Sequence, residues 1–140
     1  MTEVVFSSPE EVETAFYKAF ETADLEAMMR VWLDADYVEC IHPMSHRLMG
    51  ITAIRDSWRE IFKNGSDIEF ATVETRRIKH RDIAIHVVNE NLLIKGAQQA
   101  QILATNIYEN TTAGWRMILH HASPAPKQTD HTPPRSRTVH

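Results

Sequence analysis

The chain has 140 residues, 43% hydrophobic and 24% charged, ordinary values for one soluble globular domain that can build a core without staples. A formal charge of -4 provides no concentrated basic face for phosphates, which excludes nucleic acid as the main partner. The single cysteine, Cys40, cannot close an internal disulfide, and no apolar run approaches the ~18 residues of a membrane span, so a cytoplasmic setting with no membrane partner is expected.

Met1 to Phe6 carries Glu3 and no basic residue, unlike a signal peptide. Ser8 can cap a first helix, with Pro9 in its first turn and Glu11 completing a capping box. Val12, Ala15, Phe16, Ala19 and Phe20 then recur at helical spacing as one apolar stripe. Asp24 caps a short second helix whose inner face is Leu25, Met28, Val31 and Trp32. Tyr37 to His42 reads as a strand, in which Cys40 is a buried small hydrophobe rather than a nucleophile. A third helix over 52–64 buries Ile54, Trp58, Ile61 and Phe62 and stops at Gly65. The rest is strand: 68–78, 83–94, 99–108 and 115–122, separated by polar turns. All four glycines, Gly50, Gly65, Gly96 and Gly114, fall where an element should end. Helices followed by an antiparallel meander make an α+β domain over 1–124, with the helices on one sheet face. Residues 125–140 are proline-rich and almost free of aliphatic side chains, which implies a disordered tail.

Three segments carry a family resemblance. Ala19 to Met28 looks like a "helix, small-Asp-Leu, helix" junction. Tyr37 to Trp58 runs strand, His42-Pro43, Gly50, helix. Trp115 to Pro124 reads Trp-basic-apolar-apolar followed by His and Ser. In this order they resemble the nuclear transport factor 2-like superfamily, in its SnoaL-like and ketosteroid-isomerase-like branches. The resemblance implies a cystatin-like cone: about three N-terminal helices on a strongly curved antiparallel sheet that encloses a pocket. It also implies a homodimer through the outer sheet face, where Ile102, Ala104, Tyr108, Ile118 and His120 are expected to form a mixed apolar patch.

In the resembling ketosteroid isomerases an aspartate general base precedes the strand-ending proline; His42 stands there, and an imidazole near ~6.5 can take the same proton. Their carbonyl-polarising tyrosine falls on Phe16, which has no hydroxyl, so ketosteroid isomerisation itself is disfavoured. The Asp-Arg-Asp set of the related epoxide hydrolases is not traceable.

Two roles fit His42: a pocket acid/base, or a strand-end histidine that bonds a backbone carbonyl. Simple alternation along 115–122 puts His121 on the face of Met117 and Leu119 as the second polar group, and His120 on the other. Phe16, Phe20, Trp32, Trp58, Phe62, Met117 and Leu119 then wall an apolar pocket for a hydrophobic small molecule. No nucleotide-cofactor motif occurs, and His42 and His46, even with His121 and Glu90 added, have no frame that converges three or four ligands, so neither cofactor nor metal is expected. Two functions remain open: acid-base chemistry of the isomerase, cyclase or dehydratase kind, or a non-catalytic homodimeric module for ligand binding or association.

Overall fold

Ser8 starts the first helix as its side chain suggests. In the computed structural model, which describes residues 4–126, its hydroxyl accepts the Glu11 N–H at 3.2 Å at the head of α1 (Pro9–Thr22). The Glu11 carboxylate reaches one residue further back than a capping box requires and accepts the Ser7 N–H at 2.8 Å. Asp24 accepts the Ala27 N–H at 3.0 Å and opens α2 (Leu25–Val31). Gly50, at φ 89, turns the chain into α3 (Ile51–Phe62) while its N–H bonds the Val38 carbonyl at 2.9 Å. Ile54, Trp58 and Phe62 bury one face of α3, whereas Ile61 is 40% exposed: at one residue before Phe62 it has turned away from that stripe.

Six strands form one curved sheet: β1 (Glu39–Ile41), β2 (Arg47–Met49), β3 (Ile68–His80), β4 (Ile83–Ile94), β5 (Ala97–Thr111) and β6 (Gly114–Pro124), in the order β2-β1-β6-β5-β4-β3. The long strands pair antiparallel as the meander predicts, but β1 lies parallel to β6, so the sheet is mixed. The strand β2, three residues long, was not anticipated; it hairpins onto β1 with Cys40 opposite Leu48. Ala84, His86, Val88 and Glu90 on β4, and Ile102, Ala104, Asn106 and Tyr108 on β5, face the helices and are buried. One residue out of step, Ile85, Val87, Leu103 and Ile107 face outward.

The N-terminal segment is tied to the last turn. Trp115 N–H bonds the Phe6 carbonyl at 2.9 Å, and a Cβ on Gly114 would stand 2.8 Å from that same oxygen. With φ at +100 as well, the position demands glycine for both conformation and space. At the other end, the Ala125 N–H bonds Gln101 O at 2.9 Å and continues the β5–β6 edge. Most of the proline-rich tail, 127–140, lies outside the described residues.

Candidate functional site

His42 follows β1 directly, half-buried, with its Nε2 2.7 Å from Ser57 Oγ on α3 and 3.7 Å from Cys40 Sγ. Its ring meets the Trp58 indole edge-on at 4.8 Å. Burial holds the imidazole below its ordinary pKa, so it is neutral at pH 7. Burial also raises the Cys40 thiol far above the thiol range, which keeps it protonated and agrees with a packing role.

Behind His42 lies the aromatic cluster. Phe16 meets Tyr17, Phe20 and Trp58 at 4.9, 6.3 and 5.7 Å, and Phe62 meets Trp58 at 5.4 Å. Trp32 joins at the far side, where it bridges Met117. Six of the seven expected wall residues therefore belong to the core around Trp58, Phe20 only partly buried. Leu119 does not: it pairs with Ile107 and Glu39 on the outward face. The cause is a bulge. Tyr108 pairs with Met117 but Ile107 with Leu119, so Ile118 is an extra residue and parity reverses after it.

The same bulge exchanges the two histidines. His120 is buried, its ring 4.8 Å from Phe16 and 6.5 Å from Trp58, and His121 is exposed on the outer face. His120 thus takes the interior place expected of His121. The dimer patch changes as well, His120 through the bulge and the β5 residues because they share the inward parity of Asn106. Ile102, Ala104, Tyr108 and His120 face the helices, and Ile118 packs on the core, so that patch is not an outer surface.

A chain of buried polar groups extends inward from His120. Its Nδ1 lies 2.6 Å from Asn106 Oδ1, Asn106 Nδ2 donates to the Tyr17 hydroxyl at 3.1 Å, and that hydroxyl donates to the Glu90 carboxylate. Burial, with His42 and His121 nearby, lowers His120 to about 3. Burial raises Glu90 to about 7, so this carboxyl holds or yields a proton near neutrality. Two further donors, the indole Nε1 atoms of Trp32 and Trp58, are buried with no hydrogen-bond partner among the described residues. A hollow of about 450 Å³ between α1 and β3, lined by Glu13, Tyr17, Glu21, Phe70 and Thr72, reaches the helix side of this chain. Sequence reasoning left out Ser57, Tyr17, Glu90, Asn106 and His120 as a set. The available signal was polar residues at the inward parity of β4 and β5, where Glu90 and Asn106 alternate with Val88 and Ala104.

Among the described residues no helix is long and apolar enough to cross a membrane.

Comparison with known proteins agrees with this architecture. The family model of the SnoaL-like domain matches residues 10–127. A crystal structure from Thiobacillus denitrificans, described as a candidate calcium/calmodulin-dependent protein kinase type II association domain, is 42% identical; the match covers 89% of this chain and 100% of that one, with a TM-score of 0.84. A candidate dehydratase of the NTF2-like family from Streptomyces avermitilis is 31% identical over 83% of this chain and 92% of its own, with a TM-score of 0.75. The F-box protein SKIP8 of Arabidopsis thaliana is 33% identical over 114 residues, 80% of this chain, which spans about half (47%) of that relative's length. The chain therefore belongs to the SnoaL-like family of the nuclear transport factor 2-like superfamily.

Proposed function

We propose that this protein binds a hydrophobic small molecule bearing a carbonyl or hydroxyl oxygen and performs cofactor-independent acid-base chemistry on it, of the isomerase, cyclase or dehydratase kind. The observation that carries the reading is the neutral His42, 2.7 Å from Ser57 Oγ and packed against Trp58, whose indole N–H is buried with no partner among the described residues. A neutral imidazole can accept a proton from carbon, and Ser57 fixes its orientation. The electrons released from the C–H bond would pass to the substrate oxygen, where the Trp58 N–H supplies a donor. In the dehydratase variant they would instead expel a hydroxyl one carbon further on, which leaves as water with the proton that His42 took from carbon. Glu90 and His120 deeper inside, and the 31% identical candidate dehydratase, are in keeping with this class.

His42→Ala should leave far-UV circular dichroism unchanged and lower turnover on an identified substrate by roughly 100-fold or more, as expected for loss of a general base. The substrate class can be found by co-crystallising the protein with a panel of small carbonyl and hydroxyl compounds. Ligand density away from His42 and Trp58, or full activity in the variant, would remove the catalytic reading.

A second reading has its own support: association through the outer sheet face. Val73, Leu103 and Ile78 are 54%, 40% and 39% exposed there, beside the half-buried Ile85, Val87 and Ile107, and the 42% identical relative is described as an association domain. We expect sedimentation to give a dimer at micromolar concentration and Leu103→Glu to shift it to monomer. A monomeric wild type at that concentration would count against this face.

A further inference from the structure

A second cluster of titratable groups lies beneath the first half of α1, apart from His42. Glu13 from α1, Glu74 from β3 and His86 from β4 each offer a ligand atom, and these atoms lie within 4.8 Å of one another. We propose that these three residues bind a divalent transition-metal ion of the zinc class.

The local fold brings them together. A bulge in β3 at Thr75, between Glu74 and Arg76, places Glu74 and Arg77 on the same, helix-facing side of the sheet, with Arg77 opposite His86 in register. His86 is fully buried; its Nδ1 faces Glu13 Oε1 at 2.5 Å and Glu74 Oε2 at 3.2 Å. Tetrahedral ligands at about 2.0–2.2 Å from one ion stand roughly 3.4 Å apart, so the Glu74 oxygen already sits near that spacing from the imidazole and the Glu13 oxygen has to withdraw by about 1 Å. Glu13 is held by the Tyr108 hydroxyl, which donates to Oε1 at 3.2 Å. Arg77 engages the other oxygen of Glu74, Oε1, and leaves Oε2 turned to the imidazole. Both carboxylates are thus oriented by a second partner, the arrangement that metal ligands need.

Charge and hydrogen bonding point the same way. Counted without His86 and with all three carboxyls ionised, Glu10, Glu13 and Glu74 face one guanidinium among the described residues, Arg77, which leaves a surplus of two negative charges. A dication cancels that surplus. The second ring nitrogen, Nε2, is buried and has no hydrogen-bond partner among the described residues, with Glu10 Oε2 3.6 Å away. An ion on Nδ1 fixes the tautomer that carries its proton on Nε2, aimed at Glu10, the carboxylate–histidine–metal order common in metal sites. One imidazole with two carboxylates suits zinc or manganese better than calcium or magnesium, which prefer oxygen alone. Glu13 also helps to line the hollow of about 450 Å³ between α1 and β3, and the Glu74 side chain is 22% exposed, which gives an ion an approach from solvent.

The test uses the 140-residue chain without a tag, stripped with chelator and titrated calorimetrically with zinc chloride. The expected result is one zinc per chain, with affinity lowered at least 10-fold in Glu74→Gln and in Glu13→Gln and unchanged within twofold in His46→Ala/His80→Ala. Cobalt(II) on the wild-type chain should give visible absorption bands of low-coordinate cobalt that Glu74→Gln abolishes, a readout that needs no substitution of the buried His86. Failure of the wild type to retain zinc would overturn the proposal, the cluster then being an imidazole held by carboxylates through protons. Zinc bound equally by wild type and both glutamine variants would overturn it too, as adventitious binding to exposed histidines.

Discussion

Replacing Trp58 with alanine is expected to remove about 3–5 kcal/mol of stability, a large share of the roughly 5–15 kcal/mol that holds such a domain together. The indole is fully buried and sits where three layers meet: Phe16 and Phe20 on α1, Phe62 on its own helix, and His120 from the sheet. These groups come from elements fixed by separate contacts, so they cannot all collapse into the space vacated. Urea denaturation should show a lowered midpoint with little change in slope. Trp58→Phe should behave differently. It keeps a ring against Phe20 and gives up an indole N–H that has no partner among the described residues, so stability should fall by about 1–2 kcal/mol, in keeping with the smaller volume removed. An alanine variant with a wild-type midpoint would mean that α3 does not seat this side chain as described.

The second large effect is electrostatic. Glu90 is raised by burial from the ordinary 4.5 to about 7. Its contribution to stability is therefore fully present below pH 4.5 and lost as pH rises through 7. At about 1.4 kcal/mol per unit, the loss approaches ~3 kcal/mol. His120 acts in the opposite sense: lowered from 6.5 to about 3, it contributes stability above pH 6.5 that disappears as pH falls through 3. Between pH 4.5 and 6.5 the two slopes offset one another, so wild-type stability alone would conceal both. Glu90→Gln separates them, because an amide can still accept the Tyr17 hydroxyl but does not ionise. The stability difference between variant and wild type should swing by about 3 kcal/mol in the variant's favour from pH 4.5 to pH 7.5, read from denaturation at each pH. A difference that stays flat across this range would show that Glu90 titrates like a solvated carboxyl.

Much of the scaffold was legible because it is written locally. Ser8-Pro9 and Asp24 start helices through their own side chains, and Gly50 and Gly114 mark turns that need positive φ. The apolar stripe of α1 and the buried Trp58 and Phe62 of α3 followed from spacing, and the position of His42 at the end of β1 followed from that strand and the resemblance. What failed depended on pairing between distant strands. The bulge at Ile118 exists because β6 must fit β5 on one side and β1 on the other, and no local pattern announces it; it moved Leu119 and His121 outward and His120 inward. The strand β2 is too short to show alternation. The polar groups beneath α1 were hidden differently. Tyr17 meets Glu90 across 73 positions, as Glu13 meets His86, so neither pair forms a sequence motif.

The parallel pairing of β1 with β6 has a consequence for the order in which the molecule can assemble. Apart from the small hairpin to β2, β1 finds its sheet partner in residues 119–121, the last strand of the domain. A ribosome delivers α1, α3 and the histidine end of β1 long before it delivers that partner. Phe16 and Trp58 therefore leave the exit tunnel without the surface that later covers them, and the nascent chain carries an exposed aromatic face through most of its synthesis. Sheet closure is a long-range event that must await β6, which favours late, slow acquisition of the native state over stepwise folding as each element emerges. Expression yield should thus be governed by chaperone capacity and growth temperature as much as by the stability of the finished fold.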